Sequence, residues 1–237
     1  MGHIEFQHVT RRFDNGHEAL ADVSVEFAEG SMTFLTGHSG AGKSTFLKLL
    51  LAADQPTRGR ILVNGVDIAG LSRRRLPRYR QHLGVVFQDH HLLAQRTVFD
   101  NVATPLRVMG MREREVARRV RASLSQVELL EKEKLFPRHL STGEQQRVGI
   151  ARAVVTRPRI LLADEPTGNL DPDLSVHIMD LFARFNHVGA TVIIASHDVQ
   201  LIKSMGLRML RLEHGEIVED IAPASAVVTE SEVEAEQ

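Results

Sequence analysis

The chain has 237 residues, 43% of them hydrophobic, which is enough to bury a substantial core as one large domain or two lobes. Its formal net charge of −1 favours neither nucleic acid nor an acidic partner, and the absence of cysteine excludes disulfides and thiolate metal sites. No apolar run reaches the length that spans a bilayer, and the first residues lack a signal-peptide pattern. We therefore expect a soluble, intracellular α/β protein.

Strands and helices are predicted along most of the chain. The predicted strands are HIEFQHV, VSVEF, MTFLTG, RILVNG, LGVVFQ, RILLAD, ATVIIASH, RMLRL and, after a turn at His214-Gly215, EIVED. The runs LGVVF, RILLA and TVIIA are almost continuously apolar, which is typical of a parallel sheet covered on both faces. Helical periodicity is found over residues 43–53, 98–108, 112–128, 144–155 and 172–185.

The order of these elements predicts a domain organisation. The chain between VVFQ and RILLAD is predicted to be helical throughout, so residues 89–157 form a helical subdomain inserted into an α/β core. Residues 1–88 and 158–222 form that core. The last residues, 223–237, are acidic and lack a periodic apolar face, so we expect them to be disordered.

The segment FLTGHSGAGKST has the spacing of a P-loop, and it lies between an apolar strand and a helical run as that motif requires. Its glycines let backbone N–H groups surround a β-phosphate, Lys43 reaches the β- and γ-phosphates, and Ser44 can bind Mg²⁺. The alternative is a glycine-rich turn with a solvent-facing lysine, and both flanking elements argue against it. The predicted phosphate-binding residues are Gly37, His38, Ser39, Gly40, Ala41, Gly42, Lys43, Ser44 and Thr45.

Two acidic residues, Asp164 and Glu165, end the apolar strand RILLAD. Ligands of open α/β sheets bind beyond the carboxyl ends of the strands, so both carboxylates are predicted to face the phosphates. Asp164 is interpreted as the residue that holds Mg²⁺ through its hydration shell, and Glu165 as the general base for the attacking water. The alternative, a solvated start of a loop, is weakened by the presence of the P-loop.

Three further polar or aromatic side chains are ambiguous by themselves. His197 follows the strand TVIIA and fits either a structural role or a contact to the γ-phosphate. Gln88 ends the strand GVVFQ and fits a contact to Mg²⁺ or water, although a glutamine after a strand carries little information. Phe13 fits either the core or stacking on adenine.

The segment HLSTGEQQRVGIARAVV begins with a predicted capping box, in which Ser141 and Glu144 satisfy each other's backbone N–H groups at the start of a helix. Thr142 and Gly143 between them are poor helix formers at a helix start, where free N–H groups favour an anion. The segment therefore fits both a structural cap and an anion site.

The ordered set of these motifs resembles the ABC ATPase family over almost the whole chain except the acidic tail. The resemblance implies that Gln88 is the Q-loop residue, that Ser141, Thr142, Gly143 and Glu144 belong to the signature motif, that Asp171 is in the D-loop, that His197 is a catalytic H-loop residue and that Phe13 stacks on adenine. It further implies a P-loop core with a parallel sheet, an antiparallel β subdomain and an inserted helical subdomain. Two such domains would pack head to tail around two ATP molecules with Mg²⁺ bound by Ser44, Gln88 and Asp164. Thr142 departs from the family pattern, which has glycine there.

Within that family, FQDHHLL, RTVFDNVA and LLADEPTGNLD are similar to ATPases of bacterial cell division. This similarity implies an integral membrane partner docking near Gln88–Asp100 and a peripheral location at the cytoplasmic face of the inner membrane, at the division septum. The alternatives are the ATPase of a lipoprotein-release or macrolide-type exporter, a soluble ABC protein acting on DNA or ribosomes, and a non-catalytic nucleotide switch. A soluble ABC protein acting on DNA or ribosomes is disfavoured, because the segment between Gln88 and the signature motif is short and the chain has a single ATPase domain. A non-catalytic switch is disfavoured by the presence of Glu165 and His197. No nucleic-acid partner is expected.

Overall fold

The computed structural model describes residues 2–168 and 170–223, so all but the first residue of the predicted acidic tail lies outside the described residues. The strands are β1 Ile4–Arg12, β2 Glu18–Phe27, β3 Met32–Thr36, β4 Arg58–Val63, β5 Val66–Asp67, β6 Leu83–Val86, β7 Ile160–Asp164, β8 Thr191–Ala195, β9 Arg208–Glu213 and β10 Glu216–Ile221. The α-helices are α1 Lys43–Leu50, α2 Leu76–Arg80, α3 Val98–Val108, α4 Glu113–Gln126, α5 Thr142–Val154, α6 Pro172–His187 and α7 Val199–Met205.

A six-stranded sheet with the order β10-β9-β3-β8-β7-β6 forms the centre of the fold. Its strands are parallel except for β10, which returns antiparallel to β9 after the predicted turn at His214-Gly215. The three strands that the sequence marks as buried on both faces, β6, β7 and β8, are parallel neighbours, which confirms the predicted parallel sheet. In β7 the side chains alternate between two apolar clusters, with Leu161 and Ala163 in one and Ile160 and Leu162 in the other.

A second, antiparallel sheet has the order β2-β1-β4-β5, which confirms the predicted antiparallel β subdomain. Phe6 in β1 pairs with Val25 in β2 and with Ile61 in β4. The Phe6 ring stacks on the Phe46 ring of α1 with centroids 4.1 Å apart. This contact packs the antiparallel sheet against the helix that follows the P-loop.

Helices α3, α4 and α5 lie between β6 and β7, but this part of the chain is not helical throughout, and that prediction is wrong. Residues 89–97 are irregular backbone with short turns, and the only helices in residues 127–141 are the short 3₁₀ helices Leu130–Lys132 and Pro137–His139. His90 and His91 have φ angles of 43° and 47°, in the left-handed region that a right-handed helix cannot include. No helix can therefore continue through these two residues, and α3 begins after the Thr97 cap.

Candidate active site

The P-loop connects β3, which ends at Thr36, to α1, which begins at Lys43. Gly37 has φ 147° and Gly42 has φ 112°, both in the region that favours glycine. A Cβ at Gly37 would overlap the carbonyl oxygen of Leu212, and one at Gly42 would overlap that of Ala19. Neither backbone oxygen can move away cheaply, so these two positions require glycine for steric reasons.

The Lys43 ammonium group is almost buried inside this loop. Its Nζ donates hydrogen bonds to the carbonyl oxygens of Gly37, at 2.7 Å, and His38, at 3.2 Å. It also lies 3.8 Å from Oε1 of Glu165, and the two side chains are only 9% and 12% exposed. The positive charge is thus held by carbonyl dipoles and a carboxylate at the point where the loop turns into α1.

Glu165 and His197 form a pair at the carboxyl ends of β7 and β8. Asp164 pairs with Ala195 in the sheet, and the Glu165 N–H donates to the Ala195 carbonyl at 2.9 Å. His197 Nδ1 lies 2.7 Å from Glu165 Oε2. Because an ionised carboxylate only accepts, Nδ1 carries the hydrogen in this contact. Glu165 has φ 48°, unusual for a residue with a side chain, and the imidazole holds the carboxylate on the P-loop side.

A cavity of about 650 Å³, the P-loop cavity, brings the predicted residues together. Its lining residues are Phe13, His17, Ala19, His38, Ser39, Gly40, Ala41, Gly42, Lys43, Ser44, Thr45, Gln88, Asp164, Glu165 and His197. Residues from five separate parts of the sequence therefore meet in this cavity, at the carboxyl ends of β3, β6, β7 and β8 and beside the turn between β1 and β2. Gly37 shapes the loop behind the cavity and does not line it.

His17 and Ala19, which were not predicted as site residues, also line this cavity. The His17 ring is nearly parallel to the Phe13 ring, with an interplanar angle of 9° and centroids 6.3 Å apart. The turn Asn15-Gly16 returns the chain so that Phe13 N–H donates to the His17 carbonyl at 2.8 Å, and this turn is the signal that points to His17. The Arg11 guanidinium lies 4.7 Å from the centre of the Phe13 ring and fixes the ring at the edge of the cavity.

The proposed Mg²⁺ ligands, Ser44, Gln88 and Asp164, all line the P-loop cavity. Among residues 2–168 and 170–223, no group of three or more His, Cys, Asp or Glu side chains could hold a metal ion. Mg²⁺ prefers oxygen ligands and is commonly bound by one or two protein groups together with substrate phosphates and water. A hydroxyl, an amide oxygen and a carboxylate beside the P-loop therefore fit Mg²⁺ bound with a nucleotide.

The signature residues Ser141–Glu144 do not line the P-loop cavity. The predicted capping box is present: the Glu144 N–H donates to Ser141 Oγ at 3.3 Å, and the Ser141 N–H donates to Glu144 Oε2 at 3.0 Å. The contact with Lys132 lowers the pKa of the Glu144 carboxyl, and the hydrogen bond from the Ser141 N–H makes a smaller contribution in the same direction. Ser141 and Thr142 are exposed at the helix start.

Gly143 has a packing role that the sequence analysis did not predict. It is buried, and a Cβ there would overlap the Leu174 side chain of α6. Asp171, the predicted D-loop residue, caps α6 by accepting a hydrogen bond from the Leu174 N–H at 2.9 Å. The start of α5 and the start of α6 are thus packed together. Asn169 in the same predicted loop lies outside the described residues.

Two side chains of α5 connect the signature helix to the loops around the P-loop cavity, and the sequence analysis missed both. Gln146, which is buried, donates to the Pro166 carbonyl at 2.8 Å, directly after Glu165. Arg152 donates to the carbonyl oxygens of His90, at 2.5 Å, and His91, at 2.6 Å, and burial lowers its pKa. These contacts hold the segment after Gln88 and the loop after Glu165 to one helix.

Comparison with known proteins identifies the family. A family model described as ABC transporter matches residues 20–168, from β2 through the P-loop and α5 to the loop after Glu165. The chain belongs to this family. It is an ABC-type ATPase, and the fold prediction is confirmed.

Curated relatives named cell division ATP-binding protein FtsE match most of the chain. The protein of Escherichia coli strain K12 is 53% identical over 214 residues, which cover 90% of this chain and 96% of the relative. The proteins of Mycobacterium tuberculosis and Bacillus subtilis are 48% and 43% identical, each covering 92% of this chain and 95% of the relative.

Solved structures of ABC transporter cassettes are similar to the chain and agree with the family assignment. The dimeric structure of MJ0796, described as a bacterial ABC transporter cassette, matches with a TM-score of 0.86 and 33% identity over 92% of this chain and 98% of that chain. A dimeric post-hydrolysis state of the same cassette, bound to ADP and Pi, matches with a TM-score of 0.86 and 32% identity over the same shares of the two chains.

Proposed function

We propose that this ATPase is the ATP-hydrolysing subunit of a membrane complex that acts in bacterial cell division. The observation that carries the proposal is the convergence of Lys43, Glu165 and His197 in the P-loop cavity, in a chain whose curated relatives carry a cell-division name. The convergence supports hydrolysis of a nucleoside triphosphate, and the relatives support the process in which it is used.

Binding of ATP follows from the P-loop. The backbone N–H groups of the loop surround the β-phosphate, where Gly37 and Gly42 leave no side chain in the way. Lys43 exchanges its carbonyl partners for phosphate oxygens, which are stronger acceptors for an ammonium group. Phe13, at the edge of the cavity, stacks on the adenine ring.

Hydrolysis is assigned to Glu165, with His197 as the residue that touches both this carboxylate and the γ-phosphate. Glu165 accepts a proton from the attacking water, and the hydrogen bond from His197 keeps the carboxylate directed into the cavity. Ser44, Gln88 and Asp164 would hold Mg²⁺, which neutralises charge on the phosphates when it is bound.

Dimerisation is proposed because each chain has two separated halves of a nucleotide site. Ser141 and the N–H groups at the start of α5 are outside the P-loop cavity and exposed, so in a head-to-tail dimer they would meet the γ-phosphate held by a second copy. The dimeric cassettes among the similar solved structures support dimerisation.

Replacing Ser141 with Arg is expected to abolish ATP-dependent dimerisation and the hydrolysis that depends on it. The larger cation would fill the space that a second copy's phosphate needs, whereas the P-loop cavity of the same chain would still bind ATP. Size-exclusion chromatography with ATP and a phosphate-release assay measure the two effects. Ser125→Arg, at an exposed position near the end of α4, is the control. Normal dimerisation and turnover in Ser141→Arg would reduce the capping box to a structural role.

The proposal of a membrane partner rests on the family, described as ABC transporter, and on the cell-division name of the curated relatives. Within residues 2–168 and 170–223, no helix combines the length and apolar composition needed to cross a membrane. The proposed docking region is Gln88–Asp100. Leu93 in this region is 47% exposed, and Phe87, the residue immediately before the region, is 38% exposed. This region is tied to α5 through Arg152, so a partner there would contact the signature helix indirectly.

The proposed partner is FtsX, and the output is mechanical signalling to cell-wall hydrolases at the septum, from the cytoplasmic face of the inner membrane. Affinity purification from membranes of the native host should recover FtsX, and Leu93→Glu should reduce the recovery because it places a charge on an apolar contact. Val66→Glu, at a similarly exposed apolar position of β5, should not reduce the recovery. Recovery of a lipoprotein-release or macrolide-exporter subunit instead would overturn the cell-division assignment.

A further inference from the structure

A second cavity, of about 700 Å³, lies at the edge of the central sheet opposite the P-loop cavity. Arg159 and Ala190 in its lining immediately precede β7 and β8, whereas Asp164 and Ala195 end these strands near the P-loop. The remaining walls are the second half of α4, the end of α5 and the end of α6. The site is therefore separate from the ATPase site and joins the helical segment to the sheet.

This arginine cavity has an apolar floor and a basic rim. Val154, Leu161, Leu181 and Phe185 supply the floor. The rim residues are Arg118, Arg119, Arg157, Arg159 and Arg184, and Glu29 is the one carboxylate in the lining. Such a site suits a segment with both carboxylates and apolar side chains.

Some of the rim arginines are already paired with carboxylates and some are not. Arg118 and Arg119 both bind Glu115. Arg157 and Arg184 form no ion pair with any residue of the described part of the chain, and both are exposed. Arg159 is also exposed and forms no ion pair within the described part, although Glu29 is in the same lining. Arg157, Arg159 and Arg184 are therefore the guanidinium groups that an acidic ligand would meet without breaking an existing pair.

The described chain ends at the same edge of the sheet. β10 runs antiparallel to β9, and Ile221 pairs with Met209 at the beginning of β9, so residue 223 is near the amino ends of the parallel strands. β10 is three strand spacings from β8 and four from β7, which corresponds to distances of about 14–19 Å. The seven residue steps from 223 to 230 span up to about 23–25 Å when extended, which exceeds these distances.

The composition of this segment complements the cavity. Glu230, Glu232, Glu234 and Glu236 alternate with Ser231, Val233 and Ala235 in the sequence TESEVEAEQ. In an extended conformation the carboxylates would lie on one side and the smaller, mostly apolar side chains on the other. That pattern matches a basic rim above an apolar floor.

We propose that the arginine cavity binds the chain's own acidic segment 230–236. Carboxylates of the segment pair with Arg157 and Arg184, and Val233 and Ala235 pack on the floor near Phe185. Because α4, α6 and the start of β7 all line the cavity, the bound segment ties the helical part of the chain to the sheet. This binding is independent of the ATPase chemistry at the other edge.

The absence of cysteine from the full chain allows a direct test by disulfide cross-linking. One cysteine replaces Ala122 in the cavity wall and the other replaces Val233, and intrachain cross-linking of the full-length protein is followed by mass spectrometry. The matched control keeps the cysteine at 233 and replaces Val66, an exposed residue of β5. We expect the Ala122 pair to form about tenfold faster than the control, and 1 M salt to reduce the difference.

Charge reversal separates specific binding from chance collision. Arg157→Glu with Arg184→Glu should slow the Ala122 cross-link about tenfold, and Glu234→Lys with Glu236→Lys in the same chain should restore it. Equal rates for the Ala122 and Val66 pairs would overturn the proposal, as would a cross-link formed only between two copies. Binding to phosphatidylglycerol vesicles would also overturn the proposal if that binding requires Arg157 and Arg184 and the intrachain cross-link does not.

Discussion

Replacing Glu165 with Gln is expected to slow ATP hydrolysis by about 10²–10⁴-fold and to leave ATP binding intact, because the amide cannot accept the proton of the attacking water. Its oxygen can still accept the hydrogen bond from His197 that is 2.7 Å long in the structure, so the loop should keep its shape. With hydrolysis blocked, the closed ATP dimer should accumulate. Phosphate release, binding of a fluorescent ATP analogue and size-exclusion chromatography measure the three effects.

The control for this substitution is Glu128→Gln, which makes the same chemical change at an exposed position just after α4, outside the lining of the P-loop cavity. It should leave turnover unchanged. If Glu165→Gln also keeps normal turnover, Glu165 is not the general base, and its proximity to Lys43 and His197 then reflects only the stabilisation of a nearly buried charge.

Replacing Lys43 with Ala is expected to weaken ATP binding by roughly 10²–10⁴-fold, since two charge-assisted contacts to phosphate are each worth about 1.5–3 kcal/mol. Equilibrium binding of the fluorescent ATP analogue measures the loss. Lys48→Ala is a matched control because Lys48 lies on the same helix and is exposed. Its affinity should equal that of the unchanged protein.

The Lys43 substitution also removes a donor from the carbonyl groups of Gly37 and His38, so folding must be followed separately. With the lysine side chain removed, water from the P-loop cavity can replace the ammonium group at these carbonyls, and we expect the thermal unfolding midpoint to change little. Normal affinity of a folded Lys43→Ala protein would contradict the P-loop assignment.

Local patterns in the sequence predicted the elements whose signals lie within a few residues. Helix α3 has the predicted bounds, residues 98–108, because Thr97 caps it and an apolar stripe runs through it. The P-loop, the capping box at Ser141 and the turn at His214-Gly215 were also predicted, since each depends on residue types at fixed short spacings.

The short helix α2 was not predicted from local patterns. Its sequence LPRYR suggests only a basic surface, and five residues have too few apolar positions to show periodicity. In the structure Tyr79 donates to the Leu50 carbonyl, while Arg80 donates to those of Leu51 and Ala52. The helix therefore caps the end of α1, a contact between residues nearly thirty positions apart.

The sequence by itself determined the nucleotide chemistry, because the P-loop and the acidic end of β7 are contiguous motifs that need particular residues at particular spacings. Only the tertiary structure decided which distant side chains join them. The pairing of β7 with β8 places His197 on Glu165, and the packing of α5 brings Arg152 to His90 and His91. At Gly143 a side chain would overlap Leu174 of α6, so the small residue there is required by the packing of α5 on α6 and not by the local backbone conformation. Such contacts depend on the register and packing of elements far apart in the chain, which no local pattern encodes.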